Sequence, residues 1–263
     1  GRANGRKAAT TLADTGRRHF LEQEGLNAWG IWGFTQWDLL GAHIKKGYEY
    51  GKQRCTAYPR FVVQRSMFAE FLQMYLPIVE SVKFGHPLAV ENPTDPFPEL
   101  DFGPVISADK ASELHAMFDQ GVRFGGIPLV HRQVHEGRFI DGQDTSAYVA
   151  PASILQPPTS WELHHKEPFG PLDSIVVVDS ESEFIAAMNA SNGALVSSIA
   201  TDDMSLAHRV ADELQAFKIG INAPRSRGDR DEIFGGKGAS WKGAFVGGDL
   251  LVQAITEPGD RKK

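Results

Sequence analysis

Short apolar runs alternate with amphipathic segments along this chain, and the alternation predicts an α/β fold. Residues 173–178 are largely apolar, as in a parallel strand buried on both faces of a sheet. Phe68, Phe71 and Tyr75 recur at helical spacing, which predicts an amphipathic helix. We predict strands over residues 18–22 (short and buried), 60–64, 127–130, 173–178, 194–200 and 218–222, and helices that begin near residues 5, 37, 66, 107, 180 and 203.

Polar residues mark several of the predicted helix starts. Ser66 and Ser107 each suit an N-cap, and Ser180 with Glu183 forms a capping box. Prolines recur between residues 92 and 104, which predicts a loop. Strands that alternate with helices imply right-handed crossovers. We therefore expect a three-layer α/β fold, with an open, twisted, mostly parallel sheet and helices on both faces.

Composition narrows the classes of function. The chain is 41% hydrophobic, which is enough for a real core and excludes wholesale disorder. Its net charge of −6 comes from interspersed acids and bases, which argues against a nucleic-acid-binding face. No apolar run reaches membrane-spanning length, and residues 1–7 are charged without an apolar segment after them. We expect a cytoplasmic protein, with no membrane or nucleic-acid partner.

Cys55 is the only cysteine of the chain. A lone cysteine forms no intramolecular disulfide and anchors no multi-thiolate metal site. Two interpretations remain from the residue alone: an inert buried thiol or a reactive nucleophile. Its neighbours favour the second, because Arg54 can stabilise a thiolate while Gly51 and Thr56 suit a turn that exposes a side chain.

The histidines show no metal-binding pattern. His164 and His165 are adjacent, so both cannot face one metal from an extended strand. His131 and His135 have helical spacing, but Pro128 and the nearby glycines argue against a helix there. We expect no bound metal.

Several segments carry a family resemblance. Gln53–Ala57 (QRCTA) resembles the nucleophile segment of the aldehyde dehydrogenase superfamily. Glu167–Pro171 (EPFGP) resembles its Glu-x-Phe-Gly-Pro motif, and Glu22–Asn27 (EQEGLN) its Glu-Leu-Gly-Gly-Lys-Asn segment. Residues 220–222 and 234–237 resemble the closing Gly-x-Ile-Asn and Phe-Gly-Gly-x-Lys stretches. All occur in the family's order and span most of the chain.

The resemblance implies a reaction and its central residues. Cys55 is the expected nucleophile, with its own backbone N–H as one oxyanion donor, and Glu22 is the expected general base. An aldehyde would form a thiohemiacetal on Cys55, pass hydride to NAD or NADP, and leave a thioester for hydrolysis. Glu24 stands where the family has glycine, so it is a rival base and could raise the pKa of a neighbouring carboxyl.

The resemblance also implies binding residues. Glu167 is expected to accept hydrogen bonds from the nicotinamide ribose, and Phe169 to pack beside the ring. Gly5 suits a close approach of backbone to pyrophosphate at a helix start, although the family's preceding Ser or Thr is absent. Asn222 and Phe234 are substrate-pocket candidates by position only.

The resemblance predicts an organisation for the chain. Residues 1–22 would be a remnant of the dinucleotide-binding domain, 23–240 the catalytic domain, and 241–263 a C-terminal return segment. On this view about the first half of an ordinary family member is missing. That half carries most of the cofactor sheet, an oxyanion-donating Asn and the Lys that grips the cofactor ribose.

The preferred hypothesis is oxidation of an aldehyde to a carboxylic acid with NAD or NADP. Acyl transfer to coenzyme A instead of water is one alternative. A non-catalytic or partner-dependent fragment is a second, and a redox sensor built on Cys55 is a third. The charged segment 224–231 is expected to be a surface loop that could bias the substrate toward anions. A full-length member would be a homo-oligomer.

Overall fold

The computed structural model describes residues 2–15, 19–191, 193–225, 231–250 and 252. Three sequence-based predictions lie partly outside these residues: the start of the first strand, most of the segment 224–231, and the return segment after residue 250. The helices are α1 (Arg2–Thr15), α2 (Trp37–Gly47), α3 (Phe68–Glu80), α4 (Ala108–Arg123), α5 (Glu181–Met188) and α6 (Met204–Glu213). The strands are β1 (Phe20–Glu22), β2 (Ala28–Ile31), β3 (Arg60–Gln64), β4 (Ile127–His131), β5 (Ala152–Leu155), β6 (Leu172–Val178), β7 (Val196–Ala200), β8 (Lys218–Ile221) and β9 (Trp241–Gly243).

One large sheet organises the described chain. Its strand order is β4-β5-β6-β3-β2-β7-β8. All neighbouring strands are parallel except β4 and β5. Helices α2 and α3 pack on one face, and α5 and α6 on the other. The three-layer, mostly parallel α/β fold expected from the sequence is therefore confirmed.

Strand residues alternate between the two helical layers. Trp29 and Ile31 belong to the core formed with α2 and α3, whereas Ala28 belongs to the core formed with α5 and α6. All residues of β2 are buried. This burial on both faces accounts for apolar runs such as Phe61–Val63 in β3 and Ile175–Val178 in β6.

The strand order brings three family-like segments together. β6, β3 and β2 are neighbours, and each is entered from a segment singled out in the sequence. Residues 22–27 lead into β2, residues 53–59 into β3, and residues 167–171 into β6. Because these strands are parallel, the three segments meet at the same edge of the sheet, beside the amino ends of the strands.

The sequence-based prediction missed β2, although it is a central strand. Gly30 is the reason, since glycine is rare inside strands. A Cβ at this position would lie 2.2 Å from the ring of Phe184. Gly30 is therefore needed for α5 to pack closely on β2, and this contact is not visible in the local sequence.

Two further expectations are corrected. The strand that leads to Glu22 is present, but it is not buried, because β1 pairs with β9 in a separate two-stranded sheet. Phe20 stays 37% exposed. Ser66 does not cap α3, since the N-cap is Met67 and a 3₁₀ turn over Arg65–Met67 precedes the helix. The predicted domain boundaries stay a prediction.

Candidate active site

The segment around Cys55, residues 50–58, is called the cysteine loop below. Tyr50, Gly51 and Lys52 all have left-handed backbones, with φ of 60°, 61° and 56°. Such a conformation costs a residue with a Cβ roughly 1–2 kcal/mol. Contacts elsewhere in the protein must therefore hold the loop in this shape.

A buried ion pair provides one such contact. Lys52 Nζ lies 2.5 Å from Asp173 Oδ1, and the two side chains are 4% and 0% exposed. Lys52 also donates to the carbonyl oxygen of Tyr58, at 3.3 Å. The pair thus ties the left-handed turn to the start of β6 and closes the cysteine loop on itself.

Two tyrosines complete the surroundings of Asp173. The hydroxyls of Tyr48 and Tyr75 donate to Asp173 Oδ2, at 2.8 and 3.0 Å. Burial, together with the Asp173 charge, raises the pKa of both hydroxyls well above their usual value. Burial lowers the pKa of Lys52, although Asp173 opposes this effect. Asp173 therefore has a cation and two neutral donors, as a buried carboxylate requires.

Asn27 holds the loop from the other side. Its Nδ2 donates to the carbonyl oxygens of Cys55 and Ala57, at 2.8 and 2.7 Å. Its Oδ1 accepts from the backbone N–H groups of Leu195 and Val196, at 3.2 and 3.1 Å. The fully buried amide thus links the cysteine loop to the start of β7.

Gly25 lies directly against the same loop. A Cβ on Gly25 would lie 1.7 Å from the carbonyl oxygen of Cys55, so only glycine fits this position. Its backbone N–H donates to Glu167. Gly25 therefore brings the Cys55 backbone and the Glu167 carboxyl close to each other.

Three groups of chemical interest meet at this point. The half-buried Cys55 thiol has a pKa that is raised to about 12. Burial is the largest cause, followed by a hydrogen bond and the charge of Glu22, and then by the charge of Glu167. Burial and the charges of Glu24 and Glu22 raise the pKa of Glu167 to about 8. With a pKa of about 12, the thiol keeps its proton at neutral pH, and it is hydrogen-bonded to the exposed side chain of Glu22.

The thiolate expected beside Arg54 is a wrong prediction for this state of the protein. Arg54 donates instead to the carbonyl oxygens of Lys46 and Gly47, at 3.3 and 3.4 Å. Burial and the carboxylates decide the protonation of Cys55. Deprotonation of the thiol therefore needs an acceptor, and Glu22 is the carboxylate already hydrogen-bonded to it.

The remaining cofactor candidates lie near this centre. A Cβ on Gly5, in α1, would lie 3.0 Å from the side chain of Gln23, beside Glu22. Phe169 has a left-handed backbone, with φ of 48°, and its ring is 37% exposed. The exposed ring therefore lies two residues from the Glu167 carboxyl.

The two substrate-pocket candidates have structural contacts of their own. The Asn222 side chain accepts from the backbone N–H of Thr201 and donates to its carbonyl oxygen, both at 2.9 Å. Phe234 is 2% exposed and packs edge-on against Trp241. Their assignment to a substrate pocket stays a prediction.

A cavity of about 340 Å³ lies beside the cysteine loop. Arg54 and Thr56, on either side of Cys55, form part of its wall, and the segment after β8 forms another part through Pro224 and Arg225. Neither Asn222 nor Phe234 contributes to the wall.

Sequence reasoning missed the residues that shape the loop. Lys52, Asp173 and the Asn27 amide are far apart in the chain, so no local pattern joins them. One signal was present: Asp173 opens an apolar strand that was predicted to be buried on both faces. A carboxylate in such a place requires a buried partner.

The fold and this centre define an α/β protein with a thiol–carboxylate site at the amino ends of parallel strands. Residues 1–258 match the model of the aldehyde dehydrogenase family, and the chain belongs to that family.

Relatives of known structure or name agree with this family. A 3,6-anhydro-α-L-galactose dehydrogenase from Vibrio sp. (strain EJY3) is 28% identical over 184 residues, which are 69% of this chain and 35% of that protein. Lactaldehyde dehydrogenase from Escherichia coli superposes with a TM-score of 0.83 at 22% identity, over 96% of this chain and 50% of that one. Betaine aldehyde dehydrogenase from Staphylococcus aureus, in complex with NAD+, gives a TM-score of 0.81 at 25% identity, over 97% and 48%. This chain thus spans between about a third and half the length of these relatives.

The described part of the chain lacks two other kinds of feature. No group of three or more His, Cys, Asp or Glu side chains there is arranged to hold a metal ion. No described helix is both long and apolar enough to cross a membrane.

The buried ion pair gives a first prediction. Lys52→Met leaves Asp173 charged and buried without its cation, so the free energy of unfolding should fall by about 3–5 kcal/mol. Lys52→Met combined with Asp173→Asn should recover much of this loss, because no buried charge remains. Urea denaturation followed by tryptophan fluorescence measures both values.

Lys45→Met is the matched control. Lys45 lies 2.5 Å from Asp101, but these side chains are 33% and 17% exposed. A pair this close to solvent should contribute about 1 kcal/mol or less. Equal losses at Lys45 and Lys52 would contradict the special role given to the buried pair.

The raised pKa of Cys55 gives a second prediction. Because a pKa of about 12 leaves little thiolate, alkylation by iodoacetamide should be slow at pH 7 and should still rise steadily at pH 9. Glu22→Gln removes a charge that raises this pKa and should accelerate alkylation several-fold. Glu91→Gln, at an exposed position, should leave the rate unchanged. A rate that levels off near pH 8 in the unaltered chain would refute the assignment.

Glu167 gives a third prediction, which concerns stability. Its carboxyl has a pKa of about 8 in the folded chain against an ordinary value of 4.5, so the folded state binds the proton more tightly. Stability should therefore be unaffected by this group below pH 4.5 and should fall as pH rises toward 8. In Glu167→Gln this fall should be smaller, whereas Glu91→Gln should keep it. Urea denaturation at pH 5 and pH 8.5 tests this, and parallel curves for all three proteins would disprove it.

Proposed function

We propose that this chain carries the catalytic centre of an NAD(P)+-dependent aldehyde dehydrogenase that oxidises an aldehyde to a carboxylic acid. The observation that carries the proposal is the hydrogen bond between the Cys55 thiol and Glu22, with the Glu167 carboxyl close by. Membership of the aldehyde dehydrogenase family supports it. The relatives named for lactaldehyde, betaine aldehyde and anhydrogalactose support an aldehyde as substrate.

The first half-reaction uses the thiol and its carboxylate. Cys55 Sγ adds to the aldehyde carbon while its proton moves to Glu22. The carbonyl oxygen becomes an oxyanion, and the backbone N–H of Cys55 is one donor for it. Loss of hydride from the same carbon then leaves a thioester on Cys55. Nicotinamide supplies the acceptor for that hydride when it is bound.

The second half-reaction is hydrolysis. Glu22 first gives the proton that it took from Cys55 to solvent. It then takes a proton from water, the hydroxide adds to the thioester carbon, and the carbon–sulfur bond breaks. Carboxylic acid leaves, and the Cys55 thiolate takes the proton back from Glu22. Glu22 is exposed in the structure, which supports access of water to this base. A base that can activate water favours hydrolysis over transfer of the acyl group to coenzyme A.

The residues around Glu167 fit an oxidised nicotinamide cofactor. Burial keeps a proton on Glu167 up to about pH 8, so this group benefits from a nearby cation or from hydroxyl donors. Phe169 presents a partly exposed ring beside it. We therefore assign the nicotinamide ribose to Glu167, the ring to Phe169, and the pyrophosphate to the start of α1 near Gly5. The choice between NAD and NADP is open.

Assembly and location remain predictions. Homo-oligomer formation is expected for a full-length member and can be measured by light scattering. A cytoplasmic location can be measured by fractionation.

The fourth prediction tests the proposed function. The chain is given NAD+ or NADP+ and a panel of aldehydes, and formation of reduced nicotinamide is followed at 340 nm. Cys55→Ser should remove turnover, because serine is a far weaker nucleophile here. Glu22→Gln should lower steady turnover by roughly 100- to 10,000-fold, since a general base is lost. Glu91→Gln should behave as the unaltered chain does.

The outcomes separate the alternatives. Turnover that survives in Cys55→Ser would refute the nucleophile. Steady formation of acyl-coenzyme A, when coenzyme A is added, would replace hydrolysis by acyl transfer. No turnover with any aldehyde would favour the partner-dependent fragment, or the redox sensor if Cys55 also oxidises reversibly.

A further inference from the structure

The cavity beside the cysteine loop has a composition that the proposed reaction does not require. It holds about 340 Å³, which is enough for a small organic compound. Arg54 and Thr56 line it, and Cys55 lies between them in the chain. Because consecutive Cα atoms are about 3.8 Å apart, the wall of the cavity begins one residue from the nucleophile.

Every charged side chain that lines this cavity is basic. The described lining contains no aspartate and no glutamate. Two of the cations already have partners, since Lys52 pairs with Asp173 and Arg225 with Glu232. The other charged lining residues are Lys46 and Arg54.

Lys46 and Arg54 have no carboxylate partner among the residues that the structure describes. Lys46 is exposed, and Arg54 donates to two backbone carbonyls from one nitrogen, Nη2. Burial, and after it the charge of Lys46, lowers the pKa of His43, which lines the same cavity. The charge of Lys46 therefore acts on a side chain of the cavity wall.

The groups that act on the thiol itself carry the opposite charge. Glu22, Glu24 and Glu167 act on one another or on Cys55. The thiol thus has a cluster of carboxyl groups close to it, and a basic cavity whose wall begins one residue away in the chain. A ligand that spans the thiol would place its positive end toward the carboxyl groups and its negative end in the cavity.

Apolar residues fill the rest of the wall. Trp29, Ile44 and Phe61 line the cavity together with the basic groups. Such a surface suits a short carbon chain that ends in a charged group. A wholly apolar aldehyde would gain nothing from Lys46 and Arg54.

We propose that the substrate of this site is an aldehyde with an anionic group, a carboxylate or a phosphate ester, that binds at Lys46 and Arg54. The aldehyde part of this inference rests on the proposed function. The anionic group is inferred from the cavity alone. The anionic end lies in the cavity, and the carbonyl carbon reaches Cys55. Lys46 and Arg54 are thus specificity-determining residues.

The fifth prediction tests the charge of the cavity without any turnover. Cys55 is alkylated with iodoacetate, which is anionic, and with iodoacetamide, which is neutral. Both reagents attack the same thiolate, so the ratio of their rate constants is independent of the pKa of Cys55. Lys46→Ala combined with Arg54→Ala should lower the ratio of iodoacetate to iodoacetamide by about 3- to 10-fold at low salt. The difference should shrink toward 0.5 M NaCl, because salt screens it.

Lys45→Ala is the control, because it removes the same charge one residue away without changing the cavity wall. It should leave the ratio unchanged. Lys46→Arg should also keep the ratio of the unaltered chain, since the charge remains. A ratio that is unaffected in the double variant, or that falls as much in Lys45→Ala, would overturn the inference.

A turnover assay separates this inference from the proposed function. Butanal and 4-oxobutanoate have equal carbon chains, and only the second carries a carboxylate. The unaltered chain should have a higher kcat/KM for 4-oxobutanoate, and the double variant should lose that preference mainly through KM. Equal kcat/KM values would overturn the anionic substrate and leave the oxidation intact. If neither aldehyde is oxidised, the proposed function fails for this chain, and the alkylation ratio alone decides whether the cavity selects anions.

Discussion

The buried pair of Lys52 and Asp173 is the interaction on which the candidate site depends. It joins the left-handed turn of Tyr50, Gly51 and Lys52 to the second residue of β6. Without a partner in the sheet, that turn would relax toward ordinary backbone angles and carry the cysteine with it. A left-handed lysine is costly, and a buried lysine more so. Asp173, which also accepts hydrogen bonds from two tyrosines, offsets both of these free-energy costs.

The sheet order makes the rest of the site possible. β6, β3 and β2 are neighbours, so the loops that enter them share one edge. Asn27 then holds the cysteine loop by hydrogen bonds to two of its carbonyl oxygens. Gly25 allows the loop to lie close to Glu167. Each of these contacts involves backbone atoms. These contacts therefore hold the peptide groups of the cysteine loop, while the buried Lys52–Asp173 pair holds its left-handed turn.

The parts predictable from the sequence are those governed by neighbours in the chain. β3, β6 and the caps at Ser107 and Ser180 follow from local patterns, and the structure confirms them. β2 was not predicted, because the glycine at position 30 is required by the packing of Phe184, which lies far along the chain. The predicted thiolate at Cys55 was wrong for the same reason, since contacts between residues that are distant in the chain determine its protonation. Arg54 is its neighbour in sequence, but Glu22 and Glu167 are its neighbours in space.

A protonated thiol in the unliganded protein is consistent with a nucleophile that becomes reactive only when ligands bind. Burial and the nearby carboxyl groups of Glu22 and Glu167 raise the pKa of Cys55. A cation beside Glu167 would reduce the negative potential at the sulfur and bring the pKa of the thiol down. The thiol should therefore react more readily once a cation lies beside Glu167.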